Sequence, residues 1–188
     1  MHYIFKPSFK PQVSLNKAFG VDKKKKIIKK VKIEGVEYNI SVFPGKLRYD
    51  LYCDSVFLKG KNEITYKFIV VGEYDGIYHD ENDLTQNPFC KNIEEYASII
   101  ARDFIKNDTS IERKAILIRL KEKDGFDRRK LQYNQKDVIK EIIEQFNNQI
   151  KDLFDIDEIK LKYDPFIRID PFGEKEIYRL EGSLDRFL

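Results

Sequence analysis

Few side chains in this chain can act as nucleophiles or soft-metal ligands: two histidines, His2 and His79, and two cysteines, Cys53 and Cys90, among 188 residues. Nucleophilic catalysis needs a Ser or Cys within hydrogen-bond reach of a base, most often His. His2 lies in a lysine-rich leader, so a His-based mechanism would depend on His79 alone. The four residues show none of the paired spacings that bind zinc. Harder ligands are gathered in one segment. From Gly72 to Cys90 the chain carries Glu73, Asp75, Asp80, Glu81 and Asp83 beside His79, with no Lys or Arg. Ca²⁺, Mg²⁺ and Mn²⁺ accept such oxygens. However, Gly76 directly follows Asp75 and there is no Asp-x-Asp-x-Asp-Gly series, so the segment reads as a solvated acidic loop. A restriction-type nuclease would set an Asp and a Glu-x-Lys triplet on neighbouring strands to hold Mg²⁺ and position water. Glu112-Arg113-Lys114 and Glu158-Ile159-Lys160 fit the triplet, with Asp75 or Asp155 as partners, but in a chain with 36% charged residues such triplets arise by chance. The nine glycines form neither GxxxxGK nor GxGxxG, which argues against ATP and dinucleotide chemistry. No cofactor, no metal and no enzymatic activity are expected, and a metal-dependent hydrolase is the third of three readings.

The stretch Ile77-Tyr78-His79-Asp80-Glu81-Asn82 to Cys90 resembles the His-Pro-Asn to Cys segment of ubiquitin-conjugating enzymes. That resemblance implies a thioester on Cys90 and a supporting role for Asn82. Asp80 stands where the family has proline and Asn82 falls one position late, so the reading adopted for Cys90 is a small buried thiol. Both cysteines are expected to be reduced, as in most cytoplasmic chains.

Charge carries more information than any motif. Residues 1–33 hold ten lysines against the single acid Asp22, a balance of +9, so in a chain of net +3 the remainder comes to −6. Such asymmetry points to macromolecular contacts. The leading expectation is a non-enzymatic interaction protein that binds a protein complex through an acidic, tyrosine-bearing surface: Glu73, Tyr74, Asp75, Tyr78, Asp80, Glu81 and Asp83. Tyr49, Tyr52 and Tyr66 belong to the same tyrosine-rich region, and tyrosine is favoured at interfaces. The second expectation is sequence-nonspecific nucleic-acid binding through Lys23, Lys24, Lys25, Lys26 and Lys29, joined by Arg128, Arg129 and Lys130. Tyr3, Phe5, Phe9 and Phe19 could then stack on bases. Arginine is absent from residues 1–33, which argues against base-edge readout. Size and composition fit a phage or mobile-element accessory protein, such as an inhibitor of a host defence complex or a small particle component, from an A+T-rich genome.

Elements must position these groups. Residues 1–22, with Pro7 and Pro11 and no helical period, read as an extended basic and aromatic arm, and 23–188 as a single domain. Ile27 to Ile33 and Val36 to Phe43 form a hairpin around Glu34-Gly35. Pairing Ile33 with Val36 sends Lys30, Lys32, Glu37 and Asn39 to the polar side. Leu47 to Cys53, Val56 to Lys59 and Ile64 to Val71 continue as a meander. Asn92 followed by Glu95 opens a helix to about Lys106, Ala115 to Leu120 is a buried strand, and a helix begins near Asn134, where Val138, Ile142, Phe146 and Ile150 recur at helical spacing. Glu158 to Tyr163 and Phe166 to Asp170 read as strands. The fold expected is α+β, a mostly antiparallel β-meander sheet with two amphipathic helices packed on one face. No apolar stretch approaches the roughly 18 residues that span a bilayer, and the N-terminus lacks a secretory signal pattern. The expected location is the cytoplasm, a host's if the chain is phage-encoded.

Overall fold

A computed structural model describes residues 9–59, 64–75, 90–121, 135–154 and 156. Residues 1–8 of the expected arm lie outside the described residues, and from Lys10 to Phe19 the leader forms regular structure instead of a free extended arm. Lys10–Ser14 forms strand β1, and Ser14 caps helix α1, Leu15–Phe19, by accepting a hydrogen bond from the Lys17 amide at 3.3 Å. Gly20 closes α1 at φ 69°, a left-handed conformation in which glycine carries no steric penalty. Val13 and Leu15 are buried, and Phe19 meets Tyr49 and Tyr52 edge-on. Only Val13 of β1 is buried, and Gln12 has φ 51°. So short and irregular a strand leaves no alternating pattern in the sequence.

Strands β2 (Ile27–Ile33) and β3 (Val36–Val42) form the hairpin in the register expected, with Ile33 opposite Val36, Lys32 opposite Glu37 and Lys30 opposite Asn39. Glu34 at φ 49° and Gly35 at φ 85° make the two-residue turn, whose paired left-handed residues match the twist of the strands. The hairpin lies against α2, Ile93–Glu112. Asn92 Oδ1 accepts from the Glu95 amide at 2.9 Å, the start expected, while Glu95 Oε2 accepts from the Lys91 amide. The helix continues past Lys106 to Glu112 because Thr109 and Ser110 are buried on it rather than ending it.

The main sheet contains β1, β4 (Arg48–Lys59), β5 (Thr65–Asp75) and β6 (Ala115–Lys121) in the order β1-β4-β5-β6. β4 is one strand with a register shift between Cys53 and Val56, where two separate strands were expected. The pairs β1–β4 and β4–β5 are antiparallel, and β5–β6 is parallel because α2 carries the chain back between them. The fold is thus α+β, with mostly antiparallel sheets and, among the described residues, three helices.

The helices do not share a face. Ile69, Val71 and Leu117 pack with Tyr96, Ala97, Ile100, Ala101 and Ile105 of α2. The alternate residues Phe68, Val70, Ile116 and Ile118 pack with Phe146 and Ile150 of α3, Gln135–Phe154. Strand side chains alternate between faces, so α2 and α3 cover opposite sides of the sheet. An apolar stripe on a helix shows that it packs, not against which side. α3 also runs along the β6 edge. Gln149 accepts from the Leu117 amide and donates to the Leu117 carbonyl, both at 2.7 Å. Gln145 does the same at Arg119, at 2.8 and 2.6 Å. Glutamines one helical turn apart therefore satisfy the outward backbone of strand residues two apart. Among the described residues no helix is long and apolar enough to cross a membrane.

Candidate nucleic-acid interface

Lys23, Lys24, Lys25 and Lys26 are all exposed, in the turn that joins α1 to β2. Local chemistry fixes that turn. Asp22 Oδ1 accepts from the Lys24 amide at 2.9 Å, the side-chain-to-backbone bond typical of Asp turns. The turn also packs against Gly45, in the 3-10 segment Pro44–Lys46, where a Cβ would stand 2.5 Å from Lys23 Cβ and 3.2 Å from Lys23 Cα. Only glycine permits that approach. It brings Lys23 next to the segment that carries exposed Lys46. Gly45→Ala is expected to displace the lysine turn and to cost about 1–3 kcal/mol by overpacking, measurable as a lowered denaturation midpoint; an unchanged midpoint would mean the turn does not rest on Gly45.

None of these four lysines makes an ion pair with a described residue. Lys26 Nζ instead lies 5.4 Å from the Phe43 ring centroid. Lys29, expected to belong to the same surface, points to the opposite side of the hairpin. It pairs with Asp108 of α2 and lies 5.5 Å from the Phe104 centroid. Arg128, Arg129 and Lys130 lie outside the described residues.

The expected acidic surface divides. Tyr78, Asp80, Glu81 and Asp83 lie outside the described residues, as do His79 and Asn82, and Tyr74 is exposed. Glu73 and Asp75 are buried, at 6% and 4% exposure, and so cannot belong to a solvated surface. Both point from β5 into a network with α2 and β6. Lys106 Nζ donates to Glu73 Oε2 at 2.6 Å and lies 3.4 Å from Asp103. Arg119 Nη1 donates to both oxygens of Asp75 at 2.7 Å, and its Nε donates to Asn107 Oδ1 at 3.0 Å. Tyr49 donates to the Lys106 carbonyl at 2.9 Å and shares a hydrogen bond with Ser110, so it is a core residue. Tyr52 is buried as well.

Burial sets the direction of titration at Glu73 and Tyr49. It pushes Glu73 up to about 7, and the ammonium of Lys106 only partly offsets it. Burial likewise pushes the Tyr49 hydroxyl up to about 12, against the opposing hydrogen bond of Ser110. At Arg119 burial opposes the charge, but hydrogen bonding to Asp75 and the nearby Asp103 outweigh it and hold the guanidinium above its ordinary value. Lys106, Arg119, Asp103 and Asn107 were not foreseen. The available signal was a lone arginine inside the apolar strand sequence Ala115 to Leu120.

Catalytic readings gain nothing from this geometry. Burial, then Glu95, pushes the Cys90 thiol up, the reverse of the activation that a thioester-forming cysteine needs. Cys53 is a buried thiol. Glu112 ends α2 and Lys114, at φ 49°, precedes β6. The triplet therefore sits at the opposite end of β6 from Asp75, whose register partner is Lys121. Glu158 and Asp155 lie outside the described residues. Among the described residues no three of His, Cys, Asp and Glu are placed to hold a metal ion. Comparison with known protein families, curated proteins and solved structures gives no match to this chain.

Proposed function

We propose that this chain is a non-enzymatic binding protein whose basic surface takes the phosphate backbone of a nucleic acid. One observation carries the reading: four adjacent exposed lysines, without ion-pair partners among the described residues, are held on a turn fixed by Asp22 and Gly45. Unpaired ammonium groups displace condensed counterions when they meet phosphates, and that release supplies salt-sensitive affinity. Removing residues 1–26 is a poor test, because it also removes β1, α1 and buried Leu15. The triple substitution Lys23→Ser, Lys24→Ser and Lys25→Ser keeps every Cβ and removes the charge. Its expected outcome is weaker binding of a labelled oligonucleotide at about 50 mM salt, with the slope of log affinity against log salt smaller by about 3. Equal affinity and slope in the variant would overturn the reading.

A protein partner met through the acidic segment is the second reading, supported by exposed Tyr74 where β5 ends and that segment begins. Reversing Asp80, Glu81 and Asp83 to lysine should then abolish capture of that partner without lowering the thermal midpoint. Undiminished capture of the same partner by the variant would dismiss it.

A further inference from the structure

Every outward side chain of the β2–β3 hairpin is exposed. The outward row on β2 is Ile28, Lys30 and Lys32, preceded by Lys26; the facing row on β3 is Ser41, Asn39 and Glu37, followed by Phe43. Ile28 is 67% exposed and Phe43 39%. The opposite side, by contrast, buries Val31, Ile33 and Val42 against the core. The row begins at the lysine turn, so the aromatic ring, the apolar Ile28 and the ammonium groups of the turn form one continuous strip, while Lys30 farther along is paired with Glu37 across the rows at 2.9 Å.

We propose that this strip is a binding platform for single-stranded nucleic acid, in which Phe43 stacks on a base while Lys26 and the lysine turn meet the adjoining phosphates. The inference rests on the nucleic-acid reading above and adds the strandedness and the stacking residue. Lysines alone would serve a duplex equally well, since a duplex presents phosphates outward. It hides its base faces, however, and leaves no role for an exposed ring and an exposed isoleucine beside the charge. An unpaired strand offers both surfaces: every base has a face that stacks on an aromatic side chain whatever the sequence, and the backbone follows the positive groups. Successive outward residues on a strand lie roughly 6.8 Å apart, which gives each unstacked nucleotide its own position along the row. Lys26 Nζ lies over one face of the Phe43 ring, 5.4 Å from its centroid, so a stacking base takes the other face or displaces the ammonium towards its own phosphate. The absence of arginine from residues 1–33 agrees with binding that does not read base edges.

The test uses the full chain and fluorescence anisotropy with labelled oligothymidylate, oligouridylate and a DNA duplex of equal length. The wild type should bind one or both single strands more tightly than the duplex, and the two single-strand arms distinguish DNA from RNA. Phe43→Ala should weaken single-strand binding about tenfold or more and leave the salt slope unchanged, whereas Phe43→Tyr should retain wild-type affinity. Wild-type single-strand affinity in Phe43→Ala, or duplex binding as tight as single-strand binding, overturns the platform. If the triple serine variant loses affinity while Phe43→Ala does not, the phosphate-binding reading stands and this inference fails. If the wild type binds none of the three probes, both fail. Phe43 is exposed, so an unchanged thermal midpoint separates lost stacking from lost fold.

Discussion

Arg119→Leu is expected to destabilise the fold by about 3–5 kcal/mol, a large part of the roughly 5–15 kcal/mol that holds a domain of ordinary stability. The cost comes from what stays behind. Arg119 contributes two hydrogen bonds to Asp75 and one to Asn107 and lies 3.6 Å from Asp103. Without it, a carboxylate at 4% exposure faces no cation that can reach both its oxygens. The network is not thereby a net source of stability, because an apolar replacement of both partners recovers much of what removing one loses. The double variant Arg119→Leu with Asp75→Leu should therefore be more stable than Arg119→Leu alone. Arg119→Lys should fall between wild type and leucine, since a single ammonium cannot span Asp75 and Asn107 as the guanidinium fork does. Urea denaturation of the four proteins tests this. A loss below 1 kcal/mol in Arg119→Leu, or strict additivity in the double variant, would show that the pair is not coupled as the geometry indicates.

The second large effect concerns pH. Glu73 titrates at about 7 in the folded chain against an ordinary 4.5, chiefly because burial penalises its carboxylate. The folded state therefore binds more protons than the unfolded state between those values. The associated stability is fully present below pH 4.5 and is lost as pH rises through 7, on the order of 3 kcal/mol in all. Glu73→Gln removes the titration, so wild-type stability minus variant stability should fall steadily between pH 5 and pH 8. Asp54 acts in the opposite sense. The Ser55 hydroxyl holds its carboxyl below the ordinary value, so its contribution is lost only under more acidic conditions, outside this window. Parallel stability curves for wild type and Glu73→Gln would contradict the assignment. Neither variant touches the lysine turn, so nucleic-acid affinity at a fixed pH, measured where each protein is folded, should stay as in the wild type.

The hairpin was legible because two independent signals agreed on it: strict alternation from Val36 to Val42 and a Glu34-Gly35 turn that fixed the register. α2 and α3 were legible from their periods, and the start of α2 from Asn92. Which sheet face each helix covers was not, since Ile100 and Ile150 look equally apolar in sequence and only pairing in space separates them. The acidic segment misled at Glu73 and Asp75 for a related reason. Their cations, Lys106 and Arg119, stand 33 and 44 residues away in sequence, and a charge with a distant partner is indistinguishable along the chain from a solvated one. The lysine run stood out by its charge, but the turn that carries it packs on Gly45, an approach which nothing in the local sequence announces. Lys29 shows the limit most simply. It belongs to the same basic run as Lys30, yet a one-residue step along a strand turns it inward to Asp108.

The two glutamines of α3 also bear on self-association. An uncovered edge strand offers its amides and carbonyls to any other extended chain, which is how sheets grow into aggregates. At β6 Gln145 and Gln149 already occupy those groups at Leu117 and Arg119, so an incoming strand would have to displace a whole helix. The opposite edge of the described sheet, β1, is interrupted by Pro11, which has no amide to donate, and by Gln12 at φ 51°. On the polyanion proposed above, copies of a chain with ten lysines in its first 33 residues would reach high local concentrations. At Leu117 to Arg119 on one edge, and at Pro11 and Gln12 on the other, the described four-stranded sheet therefore gives an incoming strand little to pair with.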